Sequence, residues 1–173
     1  MKTTSSGIIV ARHVIETIKL APIRIDHDLE FARIIEGLYG HDSGINYTNI
    51  PDCNAGKNGI EEASLFLVRP VPYWQVWLTD RVLSLLDEAG FVQEEFPTLF
   101  SLMGHAEELC KARIDNISAL GEHSRWRHSN GNIFAPFMSL YAAKFGYPAF
   151  CEFESKFIGS KWSEDNWLVV RHK

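Results

Sequence analysis

Hydrophobic and polar positions repeat with two different periods along this chain. Residues 8–25 are rich in Ile and Val and broken by Pro22; Val14, Ile18 and Leu20 share one parity, with polar Glu16 among them. The same stretch also matches a helix through Ile8, Ala11, Ile15 and Ile18, but its β-branched content favours strands. Asp26 or Asp28 can cap a following helix that carries Phe31, Ile34, Ile35 and Leu38 on one face and stops at Gly40. Residues 60–68 predict a short helix, which Pro70 and Pro72 prevent from continuing.

From Tyr73 the helical period is sustained. Trp74, Trp77, Leu78, Val82, Leu85 and Ala89 recur three and four residues apart, with Gly90 placed as the C-terminal cap. A second helix after Pro97 carries Met103, Ala106, Cys110, Ile114 and Ile117, kinked at Gly104 and ended by Gly121. A third presents Phe134, Phe137, Met138, Tyr141 and Phe145, with Pro136 in its first turn. A fourth begins at Pro148 and presents Phe150, Phe153, Phe157 and Ile158. Residues 167–171 (WLVVR) are β-branched and predict a terminal strand. The expected fold is α+β and predominantly helical. It is a helical bundle with a small N-terminal β element and a C-terminal strand, in a single domain over residues 1–173.

A long loop over residues 41–59 interrupts this pattern with four Asn, three Gly, two Asp and one Pro. Hydrophobic residues make up 46% and charged residues 23%, which excludes a disordered chain and fits an ordinary globular one. The net charge of −5 excludes a surface that is basic throughout. Its distribution is uneven, at −1 over residues 1–60, −7 over 61–110 and +3 over 111–173. Cys53, Cys110 and Cys151 lie far apart with no CxxC pair, so reduced thiols and a cytoplasmic location are expected. Arg12, His13, Glu16 and Lys19 interrupt the first apolar run, so neither a signal peptide nor a membrane span is expected there.

Dinucleotide, phosphate-loop, serine-hydrolase, zinc-protease and EF-hand motifs are all missing. His27, His41 and Asp42 come nearest to a metal set, but no spacing defines a geometry, so no metal and no cofactor is expected. His105 and Glu108, three apart on a helix, are the candidate acid–base pair for a small hydrolase or lyase. Residues 121–132 concentrate His123, Arg125, Trp126, Arg127, His128 and Asn130 between two apolar helices. Arg and Trp are the residue types that dominate binding hot spots.

Residues 20–40 (LAPIRIDHDLEFARIIEGLYG) resemble the opening strand–turn–helix of HigA-type antitoxins and the first β–α unit of GNAT acetyltransferases. Neither an acetyl-CoA pyrophosphate loop nor a helix-turn-helix follows. Residues 140–150 (LYAAKFGYPAF) are similar to a stretch of the all-helical OHCU decarboxylases. Residues 105–109 lack the proline of that family's catalytic motif, so no catalytic role is carried over. No family is assigned.

The leading expectation is therefore a cytoplasmic binding or regulatory protein acting by protein–protein contact, of an inhibitor, immunity or antitoxin-like kind, without an enzymatic centre. Residues 121–132 are its expected contact surface. Replacing Arg125, Trp126 and Arg127 by alanine is then expected to abolish binding and leave the fold intact. The acid–base reading, through His105 and Glu108 or through His and Asp residues around the 41–59 loop, is one alternative; contact with nucleic acid through the basic, Trp-containing C-terminal third is the other.

Overall fold

A computed structural model describes residues 4–10, 13–39, 53–71, 78–144, 147–159, 162 and 165–173. Strands dominate it. β1 (Thr4–Val10), β2 (His13–Lys19) and β3 (Ile23–Asp26) precede α1 (Phe31–Tyr39). Next come β4 (Ile60–Ala63), β5 (Phe66–Val71), α2 (Thr79–Glu88), β6 (Phe91–Gln93), α3 (Phe96–Ser101), a 3-10 turn (Leu102–His105) and α4 (Ala106–Lys111). The chain closes through β7 (Asn116–Ser118), a second 3-10 turn (Glu122–Ser124), β8 (Trp126–Arg127), β9 (Ile133–Tyr141), β10 (Phe150–Phe157) and β11 (Asn166–His172).

Nine strands form one sheet in the order β1-β2-β5-β11-β7-β9-β10, with β6 also on β11 and β8 also on β9; β3 and β4 form a separate pair. β7 and β11 run parallel, and the other ladders are antiparallel. β11 is buried on both faces, which is why its sequence is a continuous apolar run rather than an alternating one. Trp167 and Val169 face a layer made of β3, β4, α3 and α4, where they meet Ile25, Leu65, Leu99 and Leu109. Leu168 and Val170 face α2, where they meet Val82, Leu85 and Leu86. A third cluster joins Phe31 and Ile35 of α1 to Phe96 and Trp126.

The expected helical bundle is thus replaced by a mainly β fold with few, short helices. The strands expected within residues 8–25 and at 167–171 are present. The helix predicted from Tyr73 is α2 only from Thr79: Val82 and Leu85 keep their place on its buried face, whereas Leu78 is extended and exposed. Gly90 follows its end at φ +78°, a conformation that glycine adopts without a Cβ clash. Residues 72–77, with Trp74 and Trp77, lie outside the described residues, as does most of the 41–59 loop. The segment predicted as one helix after Pro97 is divided into α3, the 3-10 turn containing Gly104, and α4. Arg113 at φ 58° marks the exit, and Ile117 then enters β7. The helix expected at 60–68 is β4 and β5, and the helices expected after Ile133 and after Pro148 are β9 and β10.

Pro136 shows how β9 accommodates its sequence. Its carbonyl accepts the Ala119 N–H at 3.4 Å, so its missing N–H would also point to that side of the strand. There β7 pairs with residues 137–139 and β8 with 133–134, leaving a break between them. The Ala119–Pro136 pair therefore keeps one bond of two, just beyond the end of β7.

Candidate interaction surface

The 121–132 segment does not join two helices; it ends in a β8–β9 hairpin. His128 N–H donates to Asn132 O at 2.8 Å, Gly131 N–H donates to His128 O at 2.9 Å, and Gly131 sits at φ +86°. Trp126 is 1% exposed and belongs to the third core cluster. Arg125 donates through Nε and Nη2 to Leu120 O, at 3.0 and 2.6 Å. Arg127 is exposed and donates to Gly131 O at 3.1 Å. His123 N–H donates to Glu95 Oε1, and the buried Ser124 hydroxyl accepts the Phe96 N–H. His128 lies against Phe134, with ring centroids 5.5 Å apart, and Asn130 Oδ1 accepts the Asn132 N–H at the exposed tip. The segment lines a groove of about 300 Å³ with Glu122, Arg125, Trp126, Arg127 and Ile133. Its tryptophan, however, is a core residue, and both arginines are turned onto neighbouring backbone carbonyls.

His105 ends the first 3-10 turn and Glu108 follows on α4; no hydrogen bond or ion pair joins them among the described residues. His27 is buried, with Nε2 3.0 Å from Glu61 Oε2. His41 and Asp42 lie outside the described residues. Among the described residues no three His, Cys, Asp or Glu side chains gather where they could hold a metal ion. No described helix is long and apolar enough to cross a membrane.

The His27–Glu61 contact is part of an ionic network that composition did not reveal. Arg171 on β11 binds the buried Glu94 through Nε and through Nη2, the latter at 3.0 Å, and reaches Glu61 through Nη1. Thr98 Oγ1 donates to Glu94 Oε2 at 2.6 Å, and Lys57 donates to Glu61 Oε2 at 3.0 Å. Arg171 above all, with Lys57 and His27, holds the Glu61 carboxyl down to about 2 against an opposing effect of burial. The network ties β4 of the small sheet, α3 and β11 together, and its carboxylates are already saturated by protein donors. Lys173 is paired with Asp87, and Lys156 donates to Asn166 Oδ1 at 2.7 Å. These three basic groups of the C-terminal third are engaged internally.

The exposed chemistry lies on the β9–β10 hairpin, at one edge of the large sheet. Ala135 faces α2, so residues 137, 139 and 141 of β9 share that face with their partners 154, 152 and 150 of β10. α2 and the buried Trp162 cover only the near end of this face, where Lys156 Nζ lies 4.5 Å from the Trp162 ring centroid. The far end is open. Tyr141 and Phe150, directly opposed, stack with centroids 4.8 Å apart and planes 14° from parallel. They are 39% and 48% exposed, and the adjacent Tyr147 is 74% exposed. Asp115, Lys144, Tyr147 and Pro148 help form a groove of about 400 Å³ around this pair. Glu152 and Glu154 continue the face along the edge, and the Glu152 carboxylate in particular pushes the Tyr141 phenol above its ordinary range. The signal in the sequence is the alternation of Glu152 and Glu154 with Cys151, Phe153 and Ser155, which the Phe150–Phe153–Phe157 spacing masks.

Compared with family models, curated proteins and solved structures, the chain finds no match in any of the three.

Proposed function

We propose that this chain is a protein-binding domain that takes an extended segment of its partner as an added strand on β10. The observation that carries this reading is the free edge. Among the described residues β10 pairs only with β9, over all eight of its residues. Ile158 N–H donates to Ile133 O at 3.0 Å in the same register, so even-numbered positions direct their backbone groups to β9. Cys151, Phe153 and Ser155 direct theirs outward, which is a template for strand addition. The aromatic groove at the start of β10 supplies an anchor beside that template. An accessory or regulatory role fits such a surface. Cys53, Cys110 and Cys151 are in no disulfide, which fits a reducing compartment such as the cytoplasm.

Selection of displayed random heptapeptides on the wild-type protein tests the reading. Enriched peptides are expected to lose affinity about ten-fold or more on Ser155→Pro, which removes one outward N–H and leaves the β9 ladder intact. Peptides N-methylated at alternate residues remove partner donors without altering the protein, and are expected to lose affinity likewise. Failure to enrich any peptide, or binding that survives both changes, overturns the proposal.

A further inference from the structure

We infer that Cys110 and Cys151 form a redox modification site, two thiols placed to close into a reversible disulfide between α4 and the edge strand β10. The inference stands apart from the strand-addition reading. Cys110 lies four residues after the buried Ala106 on α4, so the two share a helical face. Cys151 is the second residue of β10 and directly opposes Leu140 of β9, so their side chains share a face of the sheet. Ala106 and Leu140 belong to one core cluster, and both cysteines pack against that cluster. Cα atoms of α4 and β10 come within 8 Å of each other. The chain leaving α4 is fastened at the same place, where Asp115 O accepts the Leu140 N–H at 2.7 Å.

The surroundings of the two sulfurs agree with this placement. Burial above all, and next the charge of Cys110, push the Cys151 thiol above its ordinary range. Burial and then the Asp115 carboxylate do the same to Cys110. Both groups therefore stay protonated at neutral pH, which slows their oxidation and makes it faster as the pH rises, because the thiolate is the attacking form. Both side chains are partly exposed, so a small oxidant reaches them. Cys53, in contrast, is 4% exposed and enclosed with Phe31, Phe96 and Trp126.

The oxidant class is a hydroperoxide. One thiolate attacks the terminal peroxide oxygen and breaks the O–O bond; its sulfur becomes a sulfenic acid, and the rest of the peroxide leaves as an alcohol or water. The second thiolate attacks that sulfur, the S–S bond forms, and the hydroxyl departs as water. Two thiols and one hydroperoxide thus give one disulfide, one alcohol and one water, with two electrons passing from sulfur to oxygen. Small dithiols reverse the step by exchange. Transient disulfides of this kind are the ones that a reducing compartment allows.

Equimolar hydrogen peroxide added to the whole folded protein, followed by thiol alkylation and tryptic digestion without reductant, tests the inference. The expected product joins the peptide of residues 82–111 to that of residues 145–156, in a protein that remains a monomer on a non-reducing gel, and dithiothreitol releases it. This pairing should exceed either pairing with Cys53 by about ten-fold or more, and should lose most of that excess in concentrated guanidinium, where only chain length selects partners. In Cys110→Ser the sulfenic acid on Cys151 has no resolving thiol, and its capture by dimedone should rise above the wild-type level. Wild-type thiols that stay open to alkylation, oxidation that stops at sulfenic acid, or a cross-link found only in dimers overturns the inference. So does a pairing pattern that is the same in the folded and the unfolded chain.

Discussion

Replacement of Trp126 by alanine is expected to lower the unfolding free energy by about 3–5 kcal/mol, a large share of the 5–15 kcal/mol typical of a native protein. The indole is 1% exposed and fills the cluster formed by Phe31, Ile35, Cys53 and Phe96, where α1, α3 and β8 meet. Truncation to alanine removes the transfer energy of the ring. It also leaves a cavity that the flanking strand cannot close, because β8 is held by its pairing of Trp126 with Phe134 and of Arg127 with Ile133. Arg127→Ala, in contrast, removes one exposed hydrogen bond to Gly131 O and should change stability by no more than about 0.5 kcal/mol. Urea denaturation of the single variants measures both. A Trp126→Ala midpoint equal to the wild type would show that the indole is not the core residue described. The triple alanine replacement of residues 125–127 therefore cannot separate binding from folding, as the sequence had suggested it would.

Arg171→Met is expected to cost about 3–5 kcal/mol, since it leaves the Glu94 carboxylate buried with only the Thr98 hydroxyl as a side-chain donor. Breaking a buried pair on one side is more costly than replacing both partners. The double variant Arg171→Met/Glu94→Gln should accordingly recover much of the loss, and a double variant no more stable than Arg171→Met would contradict this account. The network also sets an acid dependence. The Glu61 carboxyl titrates at about 2 in the folded protein against an ordinary value of 4.5, so the folded state binds the proton more weakly than the unfolded chain. Its stabilising contribution is complete above pH 4.5 and is lost as the pH falls from there towards 2. Unfolding free energies measured by urea across pH 2 to 6 should decline through that window in the wild type. The decline should be shallower in Arg171→Met, where the leading cause of the depression is gone.

The strand-addition and disulfide predictions and these two stability predictions concern different parts of the molecule, and the separation is itself informative. Among the described residues, the tryptophans and two of the arginines, residue types that mark hot spots in a sequence, are structural. Trp126, Trp162 and Trp167 are buried, and Arg171 and Arg125 hold carboxylates or carbonyls. Among the described residues the exposed aromatic rings are instead Tyr141, Tyr147, Phe150 and Phe157. Nothing local distinguishes an exposed phenylalanine from a buried tryptophan, because exposure depends on which elements cover a face. Here α2 covers the sheet near Ala135 and leaves it open near Tyr141.

β9 and β10 show the same division at the level of the backbone. Over eight or nine residues the spacing of Phe134, Phe137, Met138 and Tyr141, or of Phe150, Phe153 and Phe157, satisfies a 3.6-residue period by chance of composition. The two-residue alternation of Glu152 and Glu154 with Cys151, Phe153 and Ser155 was equally present, and the phenylalanine spacing masked it. Pro136 was legible as a helix-first-turn residue, and becomes a strand residue only because β7 and β8 leave a break opposite it.

The sequence alone determined the features whose cause is local. These are the β-branched strands within residues 8–25, the two-sided apolar run of β11, the apolar face of α2 and the turn at Gly90. The tertiary structure decided which short apolar segments became strands, which aromatic residues were enclosed, and which charges were paired. Each of those outcomes depends on partners far away in the chain: Phe134 on Phe157, Arg171 on Glu61 and Glu94, and Trp126 on Phe31 and Phe96. Local pattern constrains a segment's period and polarity, but burial and ion pairing are properties of the assembled sheet, and only there does β10 become an edge with its glutamates facing outward.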